Sequence, residues 1–236
     1  MTVRLMLTCL CDAFAGEVGI AAVRVLEAAG CEVEFPEAQT CCGQPAFNAG
    51  DWNAARPVAR RMLDVFGGEA PVVAPSASCA AMVREGMSML LPGVKTPPTF
   101  ELVEFLVREL GVESWPPQPG PDGVRRIAYH RACHGRGLHL GDLHERLLGT
   151  VPGLELVPVE QVEQCCGFGG AFSATHGPIS AGIGMEKLRR LRESGAETIA
   201  SGDMGCLLHL RGLIERHDLG LRTVHIAQVL AEALPA

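Results

Sequence analysis

The chain is poor in aromatic residues: one Tyr, two Trp and eight Phe make up 5% of its 236 residues. It lacks any run of about 18 apolar residues, so no helix able to cross a bilayer is expected. It also lacks a Lys/Arg-rich stripe. With 20 basic against 27 acidic residues and a formal charge of −7, nucleic acid is not expected as a partner. The N-terminus, Met1-Thr2-Val3-Arg4-Leu5-Met6-Leu7, soon reaches Cys9 and Asp12 without a small-residue cleavage site. No signal peptide is expected there, and the cytoplasm is the expected compartment. Two motifs are missing as well. No Cys-x-x-Cys occurs, although there are ten cysteines, and no Gly-x-Gly-x-x-Gly follows a strand, so neither a nicotinamide nor a flavin site is expected.

What the chain does contain is a repeat. Cys41-Cys42-Gly43 returns 124 positions later as Cys165-Cys166-Gly167, and the same shift carries Cys9 onto Cys133. Each half thus reads Cys, then a vicinal Cys pair 32 residues on, then Gly, and a further cysteine comes later, Cys79 in the first half and Cys206 in the second. Cys11 and Cys31 shift onto Gly135 and Glu155. They have no cysteine counterpart and read as small buried hydrophobes.

Hydrophobic periodicity organises each half as strands alternating with helices, which predicts an α/β fold of two tandem, pseudo-symmetric domains, each a mostly parallel sheet flanked by helices. Strands are expected at 3–8, 31–35 and 71–75, then at 126–130, 154–159, 197–200 and 223–226. Helices are expected at 17–29, 52–66 and 100–110, then at 143–148, 179–194 and 206–216, with a terminal helix after the last strand. Trp115-Pro116-Pro117-Gln118-Pro119-Gly120-Pro121-Asp122-Gly123 can continue neither helix nor strand. The domain boundary falls there, giving residues 1–118 and 119–236. Cys9, Cys79, Cys133 and Cys206 then each lie just past the carboxyl end of a strand, where open parallel sheets gather their ligands. Four thiols per half are expected to meet at one sheet edge, giving two sites.

In a reducing compartment such clusters of thiols bind metal or carry redox chemistry rather than structural disulfides. Zinc, iron–sulfur clusters and a reactive dithiol all remain open on spacing alone. Adjacent cysteines suit a polynuclear cluster better than tetrahedral zinc, and Gly43 and Gly167 ease the turn such a cluster needs.

At these residues the chain resembles the cysteine-rich CCG domain family, which includes the cysteine-rich subunit of heterodisulfide reductase and the iron–sulfur subunit of glycolate oxidase. The likeness is carried by Glu34 to Asn48, by Tyr129-His130-Arg131-Ala132-Cys133-His134 and by Cys165-Cys166-Gly167-Phe168-Gly169-Gly170. It extends over nearly the full length to short members made of two such domains, which act in bacterial L-lactate oxidation to pyruvate. The resemblance implies an iron–sulfur oxidoreductase component that passes electrons beside a ferredoxin-like iron–sulfur partner and a third lactate-utilisation protein. It implies a 4Fe–4S type of cofactor, with zinc as the alternative, held by Cys9, Cys41, Cys42 and Cys79 and by Cys133, Cys165, Cys166 and Cys206. A heterodisulfide reductase-like thiol/disulfide component and a zinc-stabilised docking module are the competing readings.

Where the fuller family motif ends in Cys-x-x-Cys, this chain has Cys79-Ala80-Ala81-Met82 and Asp203-Met204-Gly205-Cys206. On that alignment each half keeps a different one of the two cysteines, which favours an ordinary four-thiolate cluster over a noncubane one. Asp203 is then a weaker oxygen-ligand candidate, more naturally a helix cap. His134, beside Cys133, is a weaker ligand candidate too. His130 and His209 could tune a cluster through a hydrogen bond.

Overall fold

A computed structural model describes residues 1–115 and 125–234. The expected linker from Pro116 to Gly123, and with it the boundary at 118/119, lies outside the described residues.

The first half contains β1 (Thr2–Leu5), α1 (Cys9–Phe14), α2 (Gly16–Ala28), β2 (Glu32–Glu34), α3 (Gln44–Asn48), α4 (Trp52–Phe66), β3 (Val72–Ala74), α5 (Ala77–Ala81), α6 (Met87–Leu90), β4 (Thr99–Glu101) and α7 (Leu102–Glu104). The second contains β5 (Arg125–Tyr129), α8 (His134–Gly137), α9 (Leu143–Leu148), β6 (Leu154–Leu156), α10 (Ala171–Thr175), α11 (Gly177–Glu193), β7 (Thr198–Ser201), α12 (Met204–His217), β8 (Arg222–His225) and α13 (Ile226–Glu232). Widened π-helical turns extend α5 and α7, at 82–86 and 105–109.

Among the described residues two four-stranded sheets result, ordered β2-β1-β3-β4 and β6-β5-β7-β8. Every pairing is parallel, with Val3 opposite Val33 and Ala128 opposite Ile199. The expected α/β architecture of two similar parallel-sheet halves is therefore what the chain forms. In both sheets the chain leaves the second central strand on the opposite side from the first. The loops after β1 and β3, and after β5 and β7, consequently splay apart and open a crevice at the carboxyl edge.

One expected element differs. The helix read over 100–110 loses its first residues to β4. Pro97 and Pro98 hold the chain extended into Thr99–Glu101, and Glu101 ends the strand by capping α7, its Oε2 accepting from the N–H of Val103 and Glu104 at 2.8 and 3.0 Å.

The halves share one core. Val18, Ala22 and Val25 of α2 belong to the same apolar cluster as Ile226, Val229 and Leu230 of α13, each fully buried Val, Leu or Ile adding roughly 1.5–3 kcal/mol. Trp115, first residue of the expected linker, is 2% exposed in that core. Its Nε1–H donates to the Leu230 carbonyl at 2.7 Å and its backbone N–H to Thr150 Oγ1 at 2.9 Å. Arg108 reaches from the first half to the carbonyls of Leu138 and His139. The two crevices are thereby held together.

Candidate metal centre

All eight repeated cysteines line a single cavity of about 250 Å3 between the two halves. The expected two sets of four thiols open on one space. Cys11 and Cys31 are buried in the apolar core and do not line it.

Local structure sets each thiol. Cys9 opens α1 behind its cap Thr8, whose Oγ1 accepts from Cys11 N. Cys133 immediately precedes α8. Cys79 is the third residue of α5 behind Ser76, and Cys206 the third residue of α12 behind Asp203. Cys41-Cys42 and Cys165-Cys166 are turned inward by Gly43 (φ 91°) and Gly167 (φ 94°), left-handed backbone that glycine adopts without strain. At Gly167 a Cβ would also lie 2.4 Å from the Ser180 carbonyl oxygen.

The cap positions correct one alignment read from the sequence. Cys79 and Cys206 stand at the same place, three residues past the cap of the helix after β3 or β7. Both halves therefore keep the same cysteine, and the position three residues on holds Met82 in one half and His209 in the other. The register differs because the second half has gained residues between its glycine turn and this helix, which a fixed shift cannot show.

Thiols approach in pairs. Cys9 Sγ lies 3.6 Å from Cys41 Sγ, Cys42 Sγ 3.6 Å from Cys79 Sγ, and Cys166 Sγ 3.1 Å from Cys206 Sγ. Gly43 N–H donates to Cys41 Sγ at 3.4 Å, Gly167 N–H to Cys165 Sγ at 3.3 Å and Phe168 N–H to Cys166 Sγ at 3.5 Å. The neighbouring sulfurs of Cys42 and Cys9 hold Cys41 well below the ordinary thiol range, and those of Cys133 and Cys166 hold Cys165 there. Cys9 gives its one proton to Cys41, Cys42 to Cys79 and Cys166 to Cys206. Cys9, Cys42, Cys133 and Cys166 are pushed up by their thiol neighbours and by burial. Each half thus has one sulfur predisposed to carry charge, with neighbours ready to lose protons to a cation.

The weaker candidates are placed differently. Asp203 lines the cavity, but Oδ1 accepts from Gly205 N at 3.2 Å, and Oδ2 accepts from Ser76 Oγ at 3.2 Å and Ser78 N at 3.0 Å. Both oxygens are committed, as in a cap. His134 also lines it, with Nδ1 3.7 Å from Cys133 Sγ and Nε2 3.2 Å from Gln44 Nε2. Gln44 has only N–H to offer there, so Nε2 accepts and Nδ1–H points to the sulfur. His209 Nε2 sits 3.3 Å from the Ser180 carbonyl oxygen instead.

His130 stands out in the sequence only for its nearness to Cys133, yet it has the most pointed geometry. A nitrogen of its ring and the sulfurs of Cys166 and Cys206 all lie within 4.8 Å of one another. The side chain is fully buried, and among the described residues neither ring nitrogen has a hydrogen-bond partner. Burial, assisted by the Lys187 charge, pushes its pKa down to about 3, so the imidazole is neutral and able to bind metal. Lys187, also buried, donates to the Val162 carbonyl at 3.0 Å and is pulled down to about 8 by burial, against the attraction of Cys166. At the matching places the first half has Met6 and Met62, both buried. The two halves repeat their thiols and differ in what surrounds them.

This donor set, eight thiols with backbone N–H groups aimed at sulfur around one cavity, fits soft, thiolate-bound metal such as iron–sulfur clusters.

The cysteine-rich domain family known as CCG matches residues 3–84 and 127–211, one copy in each half. The chain belongs to this family. It is 44% identical over 239 residues to "Lactate utilization protein A" of Geobacillus kaustophilus (strain HTA426), and 42% identical over 239 residues to the protein of that name from Geobacillus thermodenitrificans (strain NG80-2), covering 98% of each chain in both comparisons. Among solved structures, a hypothetical protein from Helicobacter pylori has a similar fold at a TM-score of 0.61 and 11% identity, over 100% of this chain and 49% of that one. The present chain therefore spans about half of that structure's length.

Proposed function

We propose that this chain is an iron–sulfur component of a bacterial system that oxidises L-lactate to pyruvate. The observation that carries the reading is the convergence of two repeated sets of four cysteines on one cavity. Full-length likeness to proteins named for lactate utilization supplies the substrate. Cys9, Cys41, Cys42 and Cys79 hold one centre, and Cys133, Cys165, Cys166 and Cys206 the other. Clusters bound there would supply one-electron transfer.

The protein's own contribution is electrostatic. Peptide N–H groups of Gly43, Gly167 and Phe168 offset negative charge on sulfur, which tunes the potential at which an electron is accepted. A ferredoxin-like iron–sulfur protein and a third lactate-utilisation protein act as partners in the cytoplasm. The two domains meet near residue 118.

A second reading has one specific observation behind it. His130, Cys166 and Cys206 converge closely enough for a mononuclear ion, the donor set of a structural zinc site once a further thiolate joins. Metal and acid-labile sulfide content of protein purified without oxygen separates the two: iron with sulfide is expected, and zinc without sulfide would replace the redox reading by a zinc-stabilised docking module.

A further inference from the structure

Among the described residues, His130 is the only histidine whose two ring nitrogens are both buried without a partner. Its main chain is fixed just past the carboxyl end of β5. The His130 N–H donates to the Ala200 carbonyl at 2.8 Å, and the His130 carbonyl accepts from Ser201 Oγ at 3.0 Å. Both bonds run to β7, the strand that leads into α12 and so to Cys206. The ring is thereby held beside the last cysteine of the second set, with none of its surface exposed.

Hydrogen bonding does not account for this placement. A ring nitrogen and the sulfurs of Cys166 and Cys206 lie within 4.8 Å of one another, yet no hydrogen bond joins the ring to either sulfur. An imidazole buried with both nitrogens unpaired is costly, and a bond to metal removes that cost at one of them. The spacing suits one metal atom held by all three donors. Metal bonds to imidazole nitrogen and thiolate sulfur are about 2.0–2.3 Å long, so donors up to about 4.6 Å apart can share an ion. The two sulfurs are already 3.1 Å apart, and a small inward movement of the ring completes the set.

Charge points the same way. Two thiolates balance a divalent metal, and a neutral imidazole joins them without adding charge to a buried place that also holds Lys187. The first half has nothing comparable. Buried Met6 stands at the place of His130, 124 positions earlier. Among the described residues no further group of three His, Cys, Asp or Glu donors is gathered closely enough for an ion.

We propose that His130 is a metal ligand of the second centre, its ring nitrogen binding the same iron as Cys166 and Cys206. The second half then supplies five donors where the first supplies four. That the metal is cluster iron rests on the proposed iron–sulfur function; that His130 binds it rests on the convergence of the three donors. In the zinc reading the same residues hold a lone ion, whereas here they belong to a redox centre whose ligands differ in kind from those of its counterpart.

The test is electron spin-echo envelope modulation of the reduced full-length protein, purified without oxygen with its histidines in 14N or 15N form. The strong nitrogen coupling of a directly bound imidazole is expected, changing with the isotope. It should be lost in His130→Met, which installs the residue of the first half, and in His130→Cys, which offers a thiolate and keeps the iron. It should persist in His134→Gln. Near-ultraviolet circular dichroism checks that the variants fold, and the labelled wild type needs no variant. Cluster signals without histidine nitrogen coupling, coupling that survives both His130 variants, or coupling lost in His134→Gln overturn the ligand and leave the iron–sulfur reading in place. Zinc without sulfide overturns that reading, and zinc-edge X-ray absorption then decides the ligand: a nitrogen neighbour lost in His130→Cys supports it, and an all-sulfur shell in wild type overturns it. Protein that binds neither metal overturns both.

Discussion

Ser76 Oγ donates to Asp203 Oδ2 at 3.2 Å, and these two residues occupy the same place in the two halves. Each caps the helix whose third residue is the last cysteine of its set. The bond crosses between the halves at the wall of the cysteine cavity, so helix capping and the joining of the halves are one feature. Asp203→Ala leaves Gly205 N–H, Ser78 N–H and Ser76 Oγ without their shared acceptor, and a loss of about 2–3 kcal/mol in urea unfolding is expected. Asp203→Ser, which copies the cap of the first half, is expected to lose less than half of that. Metal content unchanged in the Ser variant would confirm a cap; its loss would make Asp203 a ligand.

The two glycine turns are unequal. Gly43→Ala meets its nearest atom, the Ala55 carbonyl oxygen, at 3.4 Å, whereas Gly167→Ala meets that of Ser180 at 2.4 Å. Left-handed strain of roughly 1–2 kcal/mol applies to both. The second variant adds a backbone clash that must move α11. Urea midpoints should show Gly167→Ala clearly the more destabilised, and equal losses would contradict the difference in packing.

Much of this architecture is legible in the chain. The 124-residue shift pairs six of the eight cysteines that line the cavity, and helices over 52–66 and 143–148 stand where periodicity places them. The correspondence of Cys79 with Cys206 is hidden, because it depends on cap geometry rather than on sequence distance. The position of His130 is hidden for a similar reason. Its distance from Cys166 and Cys206 is set by the parallel pairing of β5 with β7, and a histidine at a strand end gives no sign of which loops will fold over it. Nor can periodicity find β4, three residues long and merged with the helix it introduces.

His225 gives the fold an acid limit. Its Nδ1 accepts from Ala227 N–H at 3.1 Å, so the ring is neutral and Nε2–H donates to the Pro75 carbonyl at 3.1 Å, joining the halves. Burial lowers its pKa to about 4 from an ordinary 6.5. A lowered folded-state pKa means that stability is fully present above the unfolded value and is lost as pH falls towards the folded one, here between about 6.5 and 4. A loss on the order of 3 kcal/mol over that window is expected in urea titrations. His225→Gln, less stable at neutral pH, should show a shallower slope; an unchanged slope would assign the acid sensitivity elsewhere.

The surroundings of the two thiol sets differ, with His130 and Lys187 beside Cys166 and Cys206 where the first half has Met6 and Met62. A buried cation near sulfur favours the reduced state. Redox titration monitored by electron paramagnetic resonance should therefore resolve two potentials. Lys187→Met should lower the higher one and leave the other in place, whereas a single potential that does not respond would contradict the inequivalence.

The most direct test is the iron and acid-labile sulfide content of protein purified without oxygen, with its electron paramagnetic resonance spectrum. Iron with sulfide and the spectrum of a thiolate-bound cluster are expected, with roughly half the iron lost in Cys41→Ser or Cys165→Ser and none in Cys31→Ser. Zinc without sulfide, or equal losses from all three variants, would contradict an iron–sulfur protein with two sets of ligands.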